Sequence, residues 1–284
     1  MIDEGIAVIL MPRFILRNIV KFALLMIAVS MATFVLVSIS PIDPVQANVG
    51  QAALINMSEA KRAQLAEYWG VNTPLWERYA SWLGDLLHGD LGTSLRFNAP
   101  VADVIATRTV NSLALMATAW VVSGVLGFGL GILAGANRGR PIDRIVKGYC
   151  FLLASVPTFW LGLVFLIVFS VWLGWFPFGF SVPIGVSAAD VTLADALHHL
   201  ALPALTLQFA SISEIFGGSV LVEQVFSYPG LGQAAVTAGL GGDVALLAGI
   251  ALFSAAFVFG GNLVANVLYG VVDPRMRKGA KVHA

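Results

Sequence analysis

Few side chains in this 284-residue chain are placed to do chemistry. Glu214 and Glu223 stand in an apolar stretch, 200–226. A carboxylate there could hold a proton or a cation, because ionisable groups in lipid are costly and usually functional. Only Glu214 lies near the middle of the stretch, and its alternative reading is a carboxylate at a membrane edge or in a disrupted segment. His198 and His199 are adjacent. Neighbouring residues do not share a helical face, so the pair reads as interfacial side chains rather than a metal clamp. The single cysteine, Cys150, has no partner for an internal disulfide, and no Cys/His cluster has zinc spacing. No phosphate loop, H-E-x-x-H, G-x-S-x-G or dinucleotide fingerprint occurs. No catalytic, cofactor-binding or metal site is therefore expected. Uphill transport by such a chain would need energy from a partner protein or an ion gradient.

The elements that hold these residues follow from composition. Hydrophobic residues make up 58% and charged residues 11%, against about 25% charged in soluble domains. Sixteen basic and sixteen acidic residues cancel, which gives no reason to expect a nucleic-acid partner. The apolar residues fall into five runs, 22–40, 113–136, 148–174, 200–226 and 244–272. Runs of about 20 predict membrane-spanning helices, hence an all-α polytopic bundle embedded in lipid. The first run follows Arg13, Arg17 and Lys21 and precedes Pro41-Ile42-Asp43-Pro44. It is longer than the apolar core of a secretory leader, so it reads as a retained span. Residues before Met11 read as an upstream extension, leaving Met1 or Met11 as the start.

Basic residues set the orientation. Three groups, Arg13/Arg17/Lys21, Arg138/Arg140/Arg144/Lys147 and Arg275/Arg277/Lys278/Lys281, flank the runs. The positive-inside rule puts 1–21, 137–147 and 273–284 in the cytoplasm. The long loop 41–112 and the loops 175–199 and 227–243 then lie outside. Both termini inside demand an even number of crossings, yet only five runs exist. The fourth is the weak one. Its 27 residues reach about 40 Å as one helix, whereas two spans need about 40 residues plus a turn. It also contains Pro203 and Gly217-Gly218, and it reads as re-entrant, broken or the remnant of something longer.

In the outer loop, Asn56 or Ser58 could cap a short helix ending near Gly70, and Thr73-Pro74 could start a second. Leu75, Tyr79, Trp82, Leu83 and Leu86 recur at helical spacing. They fit either a helix along the outer membrane interface or a cap packed on the bundle. Gly127, Gly131 and Gly135 share one face of the second run and signal close helix packing. Pro157 predicts a kink in the third run.

Several stretches together carry a resemblance. WGVNTPLWERYASWLGDLLHGDLGTSL from Trp69, SVPTFWLGL from Ser155, HHLALPALTL from His198, VEQVFSYPGLG from Val222 and DPRMR from Asp273 resemble, in order, the inner-membrane permeases of peptide/nickel ABC importers. The subfamily is that of the oligopeptide and dipeptide B-type permeases. The resemblance implies a bacterial inner-membrane protein of six spans that is not an enzyme. It also implies a second homologous permease subunit, two cytoplasmic ATPase subunits and a periplasmic solute-binding protein as partners. Peptides, nickel chelates, glutathione or another small solute all fit as cargo.

Such permeases carry an E-A-A…G coupling helix between spans four and five. Here LPALTLQFA runs straight into SISEIFGGSVLVEQVF, so on the order of 50 residues, two half-spans and their loop, are missing from the pattern. Two expectations stand side by side: a working importer permease, and an internally deleted, transport-incompetent one. An ion-coupled carrier or channel using Glu214 is the rival from another class.

Overall fold

The computed structural model describes residues 2–71, 73–183, 185–186, 190–208 and 215–272. Glu214, the Ala210–Ser211 junction, and the basic tail with Arg275, Arg277, Lys278 and Lys281 lie outside the described residues. The described chain is helical apart from one two-stranded ribbon. It divides into two compact units, Met1–Ala102 with Ala238–Ala284, and Asp103–Thr237.

In the first unit, α1 (Ile2–Ser38) lies along α12 (Val244–Val272). Within them the stretches Leu16–Ser38 and Val244–Ala265 are long and apolar enough to cross a membrane. Between them in sequence come α2 (Pro44–Val49), α3 (Gln51–Ile55), α4 (Glu59–Tyr68) and α5 (Leu75–Leu87). Ser58, not Asn56, caps α4, its hydroxyl accepting from the Lys61 N–H at 3.3 Å. Helix α5 turns Leu75, Tyr79, Trp82, Leu83 and Leu86 onto Phe34 of α1 and onto Val244, Ala248 and Leu252 of α12. The Phe34 ring lies 5.2 Å from Tyr79 and 5.1 Å from Trp82, and Tyr79 hydrogen-bonds Ser30 at 3.0 Å. That apolar face therefore meets the two long helices. A ribbon of β1 (Thr93–Ser94) and β2 (Ala99–Pro100) follows.

Asp243 fastens this unit. Its side chain is buried. Oδ2 accepts from the Ser94 hydroxyl at 2.6 Å and the Arg96 N–H at 3.0 Å, while Oδ1 accepts from the Leu246 N–H at 3.1 Å. One carboxylate thus caps α12 and holds the ribbon. Beside it, Asn48 donates to the Gly241 carbonyl at 2.7 Å and accepts from Arg96 at 3.2 Å. Gly242 sits at φ +68, the left-handed region that favours glycine, and a Cβ there would crowd the Pro44 ring at 2.8 Å.

In the second unit, α6 (Val101–Ala136) enters at Asp103 and is one helix of 36 residues, about 54 Å long. It starts twelve residues before the apolar run that predicts it. The run at 148–174 is not one straight helix. It is α7 (Pro141–Ala154), then α8 (Thr158–Phe165) continued by a π turn to Trp172, with a 103° bend between them. Pro157 has no N–H to donate and its ring blocks the preceding turn, so the helix breaks there instead of kinking. The run at 200–226 is likewise divided. Helix α9 (Leu193–Leu207) spans 15 residues, too few to cross alone, and α10 is described over Ile215–Val225. Leu202, Ala204 and Leu207 of α9 form the core with Val222 and Phe226 and with Leu115 and Ala119 of α6. Gly127, Gly131 and Gly135 have no atom within 4 Å of where a Cβ would stand, so the small-residue face of α6 is open within the chain.

Asp243→Ala leaves the buried Ser94 hydroxyl and two backbone N–H groups without acceptors. The expected loss is about 2–4 kcal/mol, a cap plus an orphaned polar contact. Thermal unfolding of the purified protein in detergent checks this. Asp243→Asn, which keeps one acceptor oxygen, should lose less.

Candidate functional site

The sequence of the 222–233 segment builds a cradle around one carboxylate. Helix α10 ends in a Schellman turn, with Tyr228 N–H donating to the Glu223 carbonyl at 2.8 Å and Ser227 N–H to the Gln224 carbonyl at 3.2 Å. Ser227 takes the left-handed position, φ 48, that glycine usually fills. Pro229-Gly230 then turns the chain directly into α11 (Leu231–Gly241). A helix beginning there exposes several unpaired N–H groups, and these meet two oxygens from other elements. The Gln233 N–H donates to Glu223 Oε2 at 2.9 Å, and the Leu231 N–H to Ser112 Oγ at 2.7 Å. The Ser112 hydroxyl in turn donates to Glu223 Oε1 at 2.6 Å.

Glu223 is 1% exposed, so these contacts replace its hydration. The N-terminus of α11 and the guanidinium of Arg108 face it. Arg108 also donates to the Gln233 side chain at 2.9 Å, and Asn111 donates to the Pro229 carbonyl at 2.9 Å. Gly230 is required by contact, since a Cβ there would overlap the Glu223 carboxyl group. The arrangement can lock α6, α10 and the start of α11 together. Both carboxylate oxygens are engaged by donors, which is the pattern of a structural tie.

The two histidines also serve the backbone. His198 donates from Nε2 to the Trp175 carbonyl at 2.8 Å, and His199 donates from Nδ1 to the Gly179 carbonyl at 2.9 Å. Phe180 N–H reaches the Phe226 carbonyl at 3.0 Å. The glycine- and proline-broken loop after the π turn is thereby pinned onto α9 and the end of α10. Thr192 and Asp195 cap α9 reciprocally. Hydrogen bonds from the Thr192 hydroxyl and backbone hold the Asp195 carboxyl below the ordinary carboxylate range. Among the described residues no group of His, Cys, Asp or Glu could hold a metal ion.

Two further places lie on α6 and α7. The turn joining α6 to α7 is only residues 137–140, stiffened by Asp143, which accepts from the Gly139 N–H at 2.9 Å and pairs with Lys147 at 3.0 Å. An apolar groove of about 570 Å³ lies between α6 and α7, lined among others by Leu126, Gly127, Tyr149, Cys150 and Gln208. Gln208 is the last described residue before the short α9–α10 connection.

Sequence reading had singled out Glu214 over Glu223 and had not assigned roles to Ser112, Arg108 or Gln233. The available signal was Glu223 followed by Tyr-Pro-Gly-Leu-Gly, a carboxylate one helical turn before an obligatory turn and a new helix. Glu223→Ala should cost about 2–4 kcal/mol by stranding the Ser112 hydroxyl and the α11 N–H groups. Gly230→Ala should destabilise comparably by displacing the carboxylate, and Ser112→Ala by less. Unfolding midpoints in detergent measure all three.

Residues 127–189 and 184–278, together more than half of the chain, match the family described as binding-protein-dependent transport system inner membrane component. Residues 11–116 match its N-terminal companion. The chain is 28% identical over 323 residues to the oligopeptide transport system permease protein AppB of Bacillus subtilis strain 168, covering 94% of this chain and 99% of that protein. It is 29% identical over 309 residues to the glutathione transport system permease protein GsiC of Escherichia coli O6:H1, covering 94% and 99%. Both alignments are longer than the whole 284-residue chain, so several tens of the relatives' residues have no counterpart here. The chain belongs to the inner-membrane permease family of binding-protein-dependent ABC importers, a multi-pass transport component and not an enzyme.

Proposed function

We propose that the chain is the permease subunit of a peptide importer. It pairs with a second homologous permease, two cytoplasmic ATPases and a periplasmic solute-binding protein. The carrying observation is the near end-to-end similarity to permeases named for oligopeptide and for glutathione transport, both peptide cargoes. The chain's termini and the 137–140 turn lie in the cytoplasm, supported by Arg138, Arg140, Arg144 and Lys147 at that turn. Labelling tests this orientation. Position 230 cannot accept a side chain, so Ser227, which is exposed, takes the probe in a Cys150→Ser background. Ser227→Cys should react with an impermeant maleimide from the outside only. Reaction from the cytoplasmic side alone would reverse the placement.

A second reading concerns this chain's competence, and one observation favours it. Where the family pattern has two spans joined by a coupling helix, only 208–214 separate the end of α9 from the described start of α10, and several tens of the relatives' residues have no counterpart here. ATP-driven closure moves a permease only through contacts that differ between its two states. The α6–α7 turn, of about one helical turn, offers little surface for them. The chain in this form is an internally deleted, transport-incompetent permease. Reconstituted with its cognate partners, it should show no ATP-dependent uptake of labelled peptides. Inserting the corresponding segment of the Bacillus subtilis relative between Ala210 and Ser211 should restore uptake. Uptake by the unmodified chain would overturn this reading and leave the first intact.

A further inference from the structure

Helix α5 carries more apolar surface than its packing uses. Leu75, Tyr79, Trp82, Leu83 and Leu86 cover α1 and α12. A second stripe, Trp76, Ala80 and Leu87, runs beside them at spacings of four and seven, one face of a helix. It is open: Trp76 is 70% and Leu87 is 80% exposed. The remaining face is polar, with Glu77, Ser81, Asp85 and His88 all exposed. The helix thus has three sectors in order around its axis: a face held by the protein, an apolar flank with no protein against it, and a face suited to water.

Its position says what covers the flank. Helix α5 packs against the last turns of α1, through Ser30, Phe34 and Val37, and against the first turns of α12, through Val244, Ala245 and Ala248. These are the adjacent ends of two membrane-crossing helices, Leu16–Ser38 and Val244–Ala265. The level at which such helices end is the boundary between hydrocarbon and headgroups. Exposed apolar side chains also stand at Leu36 on α1 and at Ile39 just past its end. A tryptophan flank beside a charged face, held at that boundary, has the character of an interfacial helix.

We infer that the Trp76–Ala80–Leu87 flank of α5 is embedded in the headgroup layer of the bilayer, so that α5 anchors the extramembrane α2–α5 segment to the lipid surface. The inference requires only that α1 and α12 cross the membrane. It is independent of cargo and of whether the chain couples to ATP.

Nitroxide labels in the full chain, reconstituted into phosphatidylethanolamine/phosphatidylglycerol vesicles, test it. Cys150 is the only cysteine and is exposed, so a Cys150→Ser background gives single sites at Trp76→Cys, Leu87→Cys, Ser81→Cys and Asp85→Cys. Labels at 76 and 87 should collide with oxygen several-fold more than with a water-soluble nickel chelate, and labels at 81 and 85 should do the reverse. Ala80→Cys repeats the reading on the same flank if Trp76→Cys does not fold. Equal chelate access at all positions would overturn the inference. Shielding of 76 and 87 that appears only when the cognate solute-binding protein is added would also overturn it, and would make the flank a protein dock.

Discussion

A helix that starts inside an apolar protein must find acceptors for its first N–H groups, since lipid and side-chain hydrocarbon supply none. Both units of this chain meet that constraint with a buried carboxylate. In one, Asp243 satisfies the start of α12 and spends its other oxygen on Ser94 and Arg96. In the other, Glu223 satisfies the start of α11 and accepts from Ser112 of α6. Each carboxylate accepts from donors on elements distant in sequence, and so organises the segments that supply them. Removing either uncaps a helix and frees the segment tied to it in one step, which is why the surrounding glycines and turns are so tightly specified.

That economy also explains which parts of the fold were legible in the sequence. Apolar periodicity is local, so the long helices, the buried face of α5 and the cap at Ser58 could be read from neighbouring residues. The carboxylate ties are not local. Ser112 and Glu223 are 111 residues apart, and Ser94 and Asp243 are 149 apart. Nothing in the composition around Asp243 distinguishes a tether from an ordinary helix cap. The same limit applies to the histidines: adjacency says only that they point to different faces, and the folded loop shows the backbone carbonyls of Trp175 and Gly179 that accept from them.

Apolar run length proved less informative than the breakers within it. The run at 148–174 has the length of one span, yet Pro157 divides it, and the π turn to Trp172 carries it into the pinned loop. The start of α6 errs in the other direction. Its first turns carry Asp103, Arg108 and Asn111, which lower hydropathy without lowering helix propensity enough to matter. Those polar positions are where α6 makes its contacts with the 223–233 segment, so the part of the helix that hydropathy discards is the part that builds the cradle.

The proposed loss of the coupling segment has to be reconciled with a chain that still packs. The reconciliation lies in where the ties are placed. The cradle at Glu223, the histidine-pinned loop and the α9–α10 core through Leu202, Leu207, Val222 and Phe226 all join residues on either side of the 209–214 connection. A segment can be removed from the middle of such a unit if the flanking half-helices remain long enough to keep their own ends satisfied, and α9 and α10 retain a capping box at one end and a Schellman turn at the other. On the proposed reading what is lost is reach: α9, with 15 residues, extends about 22 Å, short of a 30 Å hydrocarbon layer. In this chain the ties that hold the second unit together are therefore separate from the segment that, on the proposed reading, would transmit ATP-driven motion.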